Sequence, residues 1–110
     1  MADRPAPPVF LEPEQSIALW SIRELQFEGV TEKTRHLVGF LPSKGTLRVT
    51  TPIKYFSGAS LQITTSSGRL YHLIGHPFFD EDVEYTLRIW LQNNNVVWAS
   101  DVTHEYFRRH

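Results

Sequence analysis

The sequence predicts an α+β fold, in which a curved antiparallel sheet of five or six strands forms a partial barrel with one main helix near residues 80–94. Two observations indicate hairpins, because turn-forming residues at 42–45 and at 66–68 each separate two segments rich in β-forming residues. A third indicates the helix, because Asp80 precedes a segment with the charges and apolar spacing of an amphipathic helix. A sheet covered by a helix on one face is the architecture that this order of elements favours.

The composition is that of a single globular domain that folds without disulfides. The chain has 110 residues, of which 41% are hydrophobic and 13% aromatic, and it contains no cysteine. Disulfides and thiolate metal sites are therefore excluded, and we expect a cytoplasmic protein, since secreted proteins of this size often carry disulfides. The net charge of −1 and the scattered basic residues predict no binding to nucleic acid or to a membrane surface.

The first residues are predicted to form an arm outside the domain. Residues 1–8 contain three of the seven prolines, so we expect residues 1–11 to be a flexible proline-rich arm. Residues 12–110 are then a single α+β domain. The apolar stretch 9–11 can dock either on this domain or on a second copy of the chain.

The segment 17–27 is the first long ordered element. Pro13 and Glu14 permit a helix that begins there, since both suit a first helical turn. The aromatic and β-branched content of the segment favours a strand instead, with Trp20 and Ile22 on one face.

A four-residue loop at 42–45 joins the predicted strands 34–41 and 46–53. Its proline, serine and glycine are typical of a loop built on a tight turn. Pro52 has no backbone N–H to donate, so it is expected at a strand end or on an edge strand.

The register of this hairpin assigns its residues to two faces. Pairing Leu41 with Thr46 places His36 opposite Thr51. The face that carries His36 is mostly apolar, whereas the opposite face, which carries Arg48, is more polar.

A second hairpin is centred on Ser66-Ser67-Gly68. With a three-residue loop whose glycine adopts the left-handed conformation, Ile63 faces Tyr71 and one face of the hairpin is apolar. A two-residue loop at 67–68 would instead pair Ile63 with His72 and move every partner to the other face. The sequence favours the three-residue loop.

Residues 80–95 fit two periodicities. As a strand, the segment alternates Tyr85, Leu87, Ile89 and Leu91 on one face. As a helix, it forms one apolar stripe of Val83, Leu87, Trp90 and Leu91. Asp80 as the N-cap, an acidic first turn, an ion pair from Glu84 to Arg88 and the asparagines at 93–95 favour the helix. Residues 96–99 are expected to return as a strand.

The spacing of the histidines does not support a metal site. His72 and His76 are four residues apart, a spacing that places two ligands on one face of a helix. On an extended strand the same spacing separates them by about 13 Å, unless a bend at Gly75 and Pro77 brings them together. We therefore predict no metal, and no other cofactor signature is present.

Four residues are candidates for a ligand-binding site: His36, Arg69, Tyr71 and His72. An arginine beside tyrosine and serine hydroxyls can hold a carboxylate or a phosphate, and the alternative is an exposed arginine beside a core tyrosine. His36, half-buried near a basic neighbour, would favour the neutral form that a general base requires. The alternative is a core histidine bonded to a backbone carbonyl or a threonine hydroxyl.

The expected function is that of a non-catalytic binding or adaptor protein for a small molecule or a protein partner. No cysteine nucleophile, nucleophile-elbow pattern or nucleotide-binding glycine pattern appears in the sequence. One alternative is a small cofactor-independent enzyme in which His36 or His72 is the base and Arg69 orients an anionic substrate. Another is a regulatory partner whose N-terminal arm becomes ordered on contact.

Four short patterns carry a resemblance to a known kind of protein. They are Thr-Arg-His-Leu-Val-Gly at 34–39, Thr-Thr-Pro-Ile at 50–53, Ser-Gly-Arg-Leu-Tyr at 67–71 with Gly75, and Asp-x-Asp-x-x-Tyr at 80–85. Over residues 17–106 the chain resembles small uncharacterised bacterial proteins carried on mobile elements such as integron gene cassettes. The resemblance implies a compact α+β domain that self-associates, and it implies no catalytic residues.

Self-association is also expected from the second hairpin. Its two faces are both apolar, and one helix covers only one face of a sheet. The remaining face must close on itself as a partial barrel, bind a partner or meet another subunit. Together with the apolar stretch 9–11 and three tryptophans, this predicts a homodimer.

Overall fold

A computed structural model describes residues 2–3 and 6–107 of the chain. The elements, in chain order, are β1 (Ala2–Asp3), β2 (Glu14–Phe27), β3 (Thr34–Leu41), β4 (Thr46–Ser57), β5 (Gln62–Thr65), β6 (Leu70–Leu73), α1 (Glu81–Asn93), β7 (Val96–Asp101) and a 3₁₀ helical turn (Thr103–Glu105). Both predicted hairpins, the first strand and the helix are confirmed, although β4 continues beyond its predicted end. The predicted arm lies partly outside the described residues, at positions 1, 4 and 5, as do residues 108–110.

Five of the strands close into a ring. β2 pairs with β3, β3 with β4, β4 with β5, β5 with β6, and β6 with β2. The β2–β6 pair is parallel and the other four pairs are antiparallel. β7 extends the sheet from the later part of β2, and β1 pairs in parallel with the start of β4. The predicted fold class, a curved α+β sheet with one helix, is confirmed, and the two parallel pairs, β2–β6 and β1–β4, are an addition to it.

The ring closes because two long strands change partner along their length. β2 pairs first with β6 and then with β3, and β4 pairs first with β3 and then with β5. β2 changes its register with β3 near Leu19, whose φ of 51° lies in the left-handed region. β4 changes partner from β3 to β5 at Pro52, whose carbonyl accepts a hydrogen bond from the N–H of Ser66 at 2.7 Å. Pro52 therefore lies inside a strand, at the point where the strand leaves one neighbour for the next.

β3 passes so close to β2 that the chain needs a glycine at position 39. A Cβ on Gly39 would lie 2.7 Å from the carbonyl oxygen of Ala18 and 2.8 Å from Cγ1 of Ile17. The first neighbour is backbone and the second is a fully buried side chain, so neither can move away easily. Any larger residue would push the two strands apart.

The second hairpin has the predicted three-residue loop. Ile63 lies opposite Tyr71, and the N–H of Thr65 donates to the carbonyl of Arg69 at 3.1 Å. Gly68, the last residue of the loop, has a φ of 93°, as the left-handed conformation requires.

The first hairpin keeps the predicted register only near its loop. Leu41 pairs with Thr46, as predicted. The prediction for His36 is wrong by one position, because His36 lies opposite Pro52 and not opposite Thr51. The cause is a bulge that adds a residue to β4 between the two ends of the hairpin.

Apolar side chains form two cores, one on each face of the sheet. The core inside the ring contains Ile17, Trp20, Ile22, Leu37, Leu41, Ile63, Tyr71, Leu73 and Val102. The outer core, between α1 and the outside of β3 and β4, contains Val38, Leu47, Val83 and Leu87. The apolar inner face of the second hairpin is thus buried by closure of the ring, which is one of the three predicted outcomes.

The helix begins and ends at the predicted signals. Oδ1 of Asp80 accepts a hydrogen bond from the N–H of Val83 at 3.0 Å, and the helix stops within the asparagine run. The prediction of an ion pair between Glu84 and Arg88 is wrong: among the described side chains, Glu84 forms a salt bridge with Arg23 of β2. This salt bridge joins the helix to the sheet. In the part of the chain that the structure describes, no helix is long and apolar enough to cross a membrane.

Candidate functional site

A group of polar side chains fills one end of the ring interior. It consists of Glu12, Lys44, Arg48, Arg69 and Tyr71, and we call it the arginine cluster. Arg48 and Arg69 are only 5% and 3% exposed, so two charged side chains lie inside the fold. A buried guanidinium loses its hydration and therefore needs acceptors close by.

Strand alternation directs these side chains into the ring. Leu47 belongs to the outer core, so the next residue of β4, Arg48, points to the inside. Tyr71 of β6 belongs to the inner core, and Arg69, two residues earlier, points the same way. The sheet thus brings both arginines to one end of the same interior.

Arg48 links the carboxylate of the cluster to its phenol. Nη1 of Arg48 donates to Oε2 of Glu12 at 3.1 Å and to Oη of Tyr71 at 3.1 Å. Nε of Arg48 is buried and has no hydrogen-bond partner among the described residues. Within the described part of the chain, one N–H of this guanidinium therefore has no acceptor, a rare condition for a buried polar group.

Arg69 holds the segment before β2 against the ring. Nε of Arg69 donates to the backbone carbonyl of Glu12 at 2.7 Å, and Nη2 donates to the carbonyl of Pro7. The same Nε lies 3.4 Å from Oε2 of Glu12. One guanidinium thus binds both ends of the segment 7–12.

The arginine cluster carries more positive than negative charge. Oε1 of Glu12 forms a salt bridge with Nζ of Lys44, and Oε2 forms salt bridges with the two arginines. Burial by itself raises the pKa of Glu12, but hydrogen bonds from Lys44 and Arg48 outweigh it, so this pKa lies below its usual value. Among the described side chains, three cations face one carboxylate, which leaves two formal positive charges in excess.

His36 lies outside the arginine cluster, on the outer face of β3. Its Nδ1 is 2.6 Å from the carbonyl oxygen of Thr50, and its Nε2 is 2.6 Å from Oγ1 of Thr34. A carbonyl only accepts, so Nδ1 carries the proton and Nε2 accepts from the hydroxyl. Burial lowers the pKa of His36, against the smaller opposing effect of the hydrogen bond to Thr50. Because both ring nitrogens are engaged, the geometry is that of a core histidine.

His72 lies on the outer face of β6, where alternation separates it from Tyr71. Its Nε2 is 2.6 Å from Oε1 of Glu14, and its Nδ1 is 3.3 Å from Nε2 of Gln62. Within residues 2–3 and 6–107, no group of three or more histidine, aspartate or glutamate side chains is arranged to hold a metal ion.

The four predicted ligand-binding residues do not form one site. Arg69 and Tyr71 share the arginine cluster, joined through Glu12 and Arg48, whereas His36 and His72 lie on the outside of the ring. The enzyme alternative requires His36 or His72 to share a cleft with Arg69, whereas both histidines lie on the opposite face of the sheet from this arginine.

Sequence reasoning singled out neither Arg48 nor Glu12. The available signal was the alternation of Arg48 with Leu47 and Val49, which places it on the same face as Leu37. This face is more polar in composition, and it becomes an interior only when β6 pairs with β2. The signal therefore depends on a contact between distant parts of the chain.

A concave feature lies beside the helix, apart from the arginine cluster. A groove of about 700 Å³ is lined by the helix residues Tyr85, Ile89 and Trp90 and by Phe40 and Gly45 of the first hairpin. The groove offers aromatic and aliphatic contacts, whereas the arginine cluster offers charge.

No protein-family model matches this chain, and no curated protein or solved structure was found to be similar to it.

Proposed function

We propose that this protein is a non-catalytic binding protein that holds a small anionic ligand, through a carboxylate or a phosphate, at the arginine cluster. The observation that carries the proposal is the convergence of two buried arginines and a tyrosine hydroxyl on the single carboxylate of Glu12. Guanidinium groups bind carboxylate and phosphate oxygens through paired hydrogen bonds, which are stronger where water is excluded.

The excess of positive charge supports a binding role over a purely structural one. A buried charge without a counter-charge costs the fold several kcal/mol, so an ion-pair network that serves stability alone is best balanced. The arginine cluster instead sets three cations against one carboxylate and leaves Nε of Arg48 without a partner among the described residues. An anionic ligand would supply the charge and the acceptor that the cluster lacks.

The test is thermal unfolding with a library of metabolites and inorganic anions at constant ionic strength, with EDTA controls. A ligand that binds the folded state raises Tm by mass action. We expect anions to raise the Tm of the wild type and of Arg88→Gln, which changes an exposed arginine outside the cluster. The rise should be lost or strongly reduced in Arg48→Lys, which keeps the charge but not the planar fork.

Two results would overturn the proposal. An equal rise of Tm in the wild type and in Arg48→Lys would show that the anion binds elsewhere. No rise with any compound would refute a small anionic ligand, and a protein partner would then be sought by affinity capture.

We also propose that the protein is a homodimer in the cytoplasm. Large apolar side chains are exposed on the helix, just before its N-cap and on the segment before β2; they include Phe10, Leu11, Phe79, Tyr85 and Ile89. Exposed apolar groups that lie together favour an interface, and Tyr85 and Ile89 line one groove. The proposed location rests on the cysteine-free composition, which suits a reducing compartment.

Size-exclusion chromatography with light scattering tests the dimer. We expect a dimer for the wild type and a monomer for Ile89→Lys, which places a charge in the groove without changing a buried residue. A wild type that remains monomeric at high concentration would remove the proposal.

A further inference from the structure

We infer that the carboxylate of Glu12 occupies the ligand site when no ligand is bound. A doubly charged anion, a phosphate or a dicarboxylate, then binds by displacing this carboxylate. The inference rests on the proposed function, because it concerns the same arginine cluster. Three properties of the cluster support it: the contacts of Glu12, the weak anchoring of its segment, and the charge that remains.

Glu12 makes the contacts that a bound anion would make. Its two carboxylate oxygens together contact Lys44, Arg48 and Arg69, and Nε2 of Gln15 donates to Oε1 at 3.3 Å. The other members of the cluster belong to strands of the ring or to the loops that join them. Glu12 alone comes from the segment before β2, so its carboxylate can leave without breaking a strand pair.

The two large apolar side chains next to Glu12 do little to anchor its segment. Phe10 and Leu11 are 80% and 68% exposed, so they contribute little hydrophobic burial. The cluster itself provides the main contacts, through the Glu12 carboxylate and through the bonds from Arg69 to the carbonyls of Pro7 and Glu12. Displacement of the carboxylate therefore costs ion pairs, which an incoming anion can replace.

The charge count selects a doubly charged ligand. A monoanion such as acetate only replaces the charge of Glu12, and it competes with a carboxylate that is tethered and thus present at a high effective concentration. A phosphate or a dicarboxylate adds a second negative charge against three cations, and it can offer an acceptor to Nε of Arg48, which has no partner among the described residues. Such an anion gains interactions that Glu12 does not supply.

The test compares the Tm of the wild type, Glu12→Gln and the control Glu32→Gln at constant ionic strength in chloride, acetate, succinate and inorganic phosphate. Glutamine keeps the size of the side chain at position 12 but removes the competing charge. We expect phosphate or succinate to raise every Tm, with about a hundredfold lower concentration needed for Glu12→Gln than for the other two. Acetate and chloride should leave the wild type unchanged, and the comparison of phosphate with succinate identifies the favoured dianion.

A second measurement uses the wild type alone, in case Glu12→Gln does not fold. The N–H groups of Leu11 and Glu12 donate to the carbonyl of Pro8, at 3.0 and 3.1 Å. Because displacement loosens this turn, hydrogen exchange in the peptide that covers residues 6–12 should become at least about threefold faster when the dianion binds. Exchange that is unchanged or slower in this peptide, with a raised Tm, would contradict the displacement.

The outcomes separate this inference from the proposed function. Equal concentration dependence in the wild type and in Glu12→Gln would overturn the inference, while the anion site would stand. Acetate as effective as phosphate and succinate would overturn the dianionic class. No stabilisation of any variant by any anion would overturn both.

Discussion

Replacing Glu12 by glutamine removes the one negative charge that three cations share, and we expect it to lower the free energy of unfolding of the ligand-free protein. The side chains of Glu12, Arg48 and Arg69 are only 10%, 6% and 4% exposed, so these pairs are of the buried kind. Breaking a buried pair by removing one partner costs about 3–5 kcal/mol. Lys44 is 38% exposed, so its pair adds less than about 1 kcal/mol.

The expected loss lies at the lower end of this range, about 3 kcal/mol, because the amide oxygen of glutamine can still accept a hydrogen bond. A change of 1 kcal/mol shifts the Tm of a domain of this size by roughly 4 °C, so Tm should fall by roughly 12 °C. The loss should also depend on pH. Because the pKa of Glu12 is lowered in the folded state, its contribution is present above the unfolded value near 4.5 and is lost as the pH falls below it.

The assay is urea unfolding followed by tryptophan fluorescence. Trp20 is fully buried, and its Nε1 donates to the carbonyl of Gly75 at 3.0 Å, so its emission reports loss of the inner core. Glu32→Gln changes an exposed glutamate and should stay within about 0.5 kcal/mol of the wild type. A Glu12→Gln variant as stable as this control, at neutral pH, would refute the view that the cations are shielded from water.

Three other substitutions test the fold. Gly39→Ala should lower the free energy of unfolding by about 2 kcal/mol, because the new Cβ would overlap the backbone of β2. The control in the same urea titration is Gly58→Ala, whose Cβ meets no backbone atom. Equal effects of the two substitutions would contradict the close approach of β3 to β2. Because the pKa of His36 is lowered in the folded state, its contribution to stability is present above the unfolded value of 6.5 and is lost as the pH falls below it. The urea midpoint should therefore fall below pH 6.5, and it should fall less in His36→Gln. Parallel pH profiles of the two proteins would contradict this. Asp80→Ala should cost about 1 kcal/mol in urea unfolding through loss of the helix cap, and an unchanged midpoint would show that the cap is dispensable.

Elements defined by neighbouring residues were predictable from the sequence. Gly68 signals a left-handed loop position, and the register of the second hairpin follows from it. Asp80 and the acidic turn after it signal the helix start, which decides between two periodicities that residues 80–95 fit equally well. These signals act over a few residues, so no tertiary contact is needed to interpret them.

A partial barrel was predicted, but the strand pairing that closes the ring could not be predicted from such local signals. It pairs residues 14–17 with residues 70–73 in parallel, and it depends on a left-handed residue at Leu19 that its residue type does not signal. The assignment of Arg48 follows from this closure, because the more polar face of β4 becomes the interior that holds the arginine cluster. The bulge that moves His36 opposite Pro52 is likewise a consequence of how β4 turns from one partner to the next.

The pairing of β2 with later parts of the chain affects the order in which the protein folds during synthesis. β2 leaves the ribosome before its partners β3, β6 and β7, which come from successively later parts of the chain. The N–H of Ile22 donates to the hydroxyl of Thr103 at 2.9 Å, so this hydrogen bond forms only after Thr103 has been synthesised. Pairings over such sequence distances form slowly, and an unpaired strand edge can meet another nascent chain in the meantime. Protease resistance of the chain is therefore expected to appear in one late step, after Thr103 has left the ribosome.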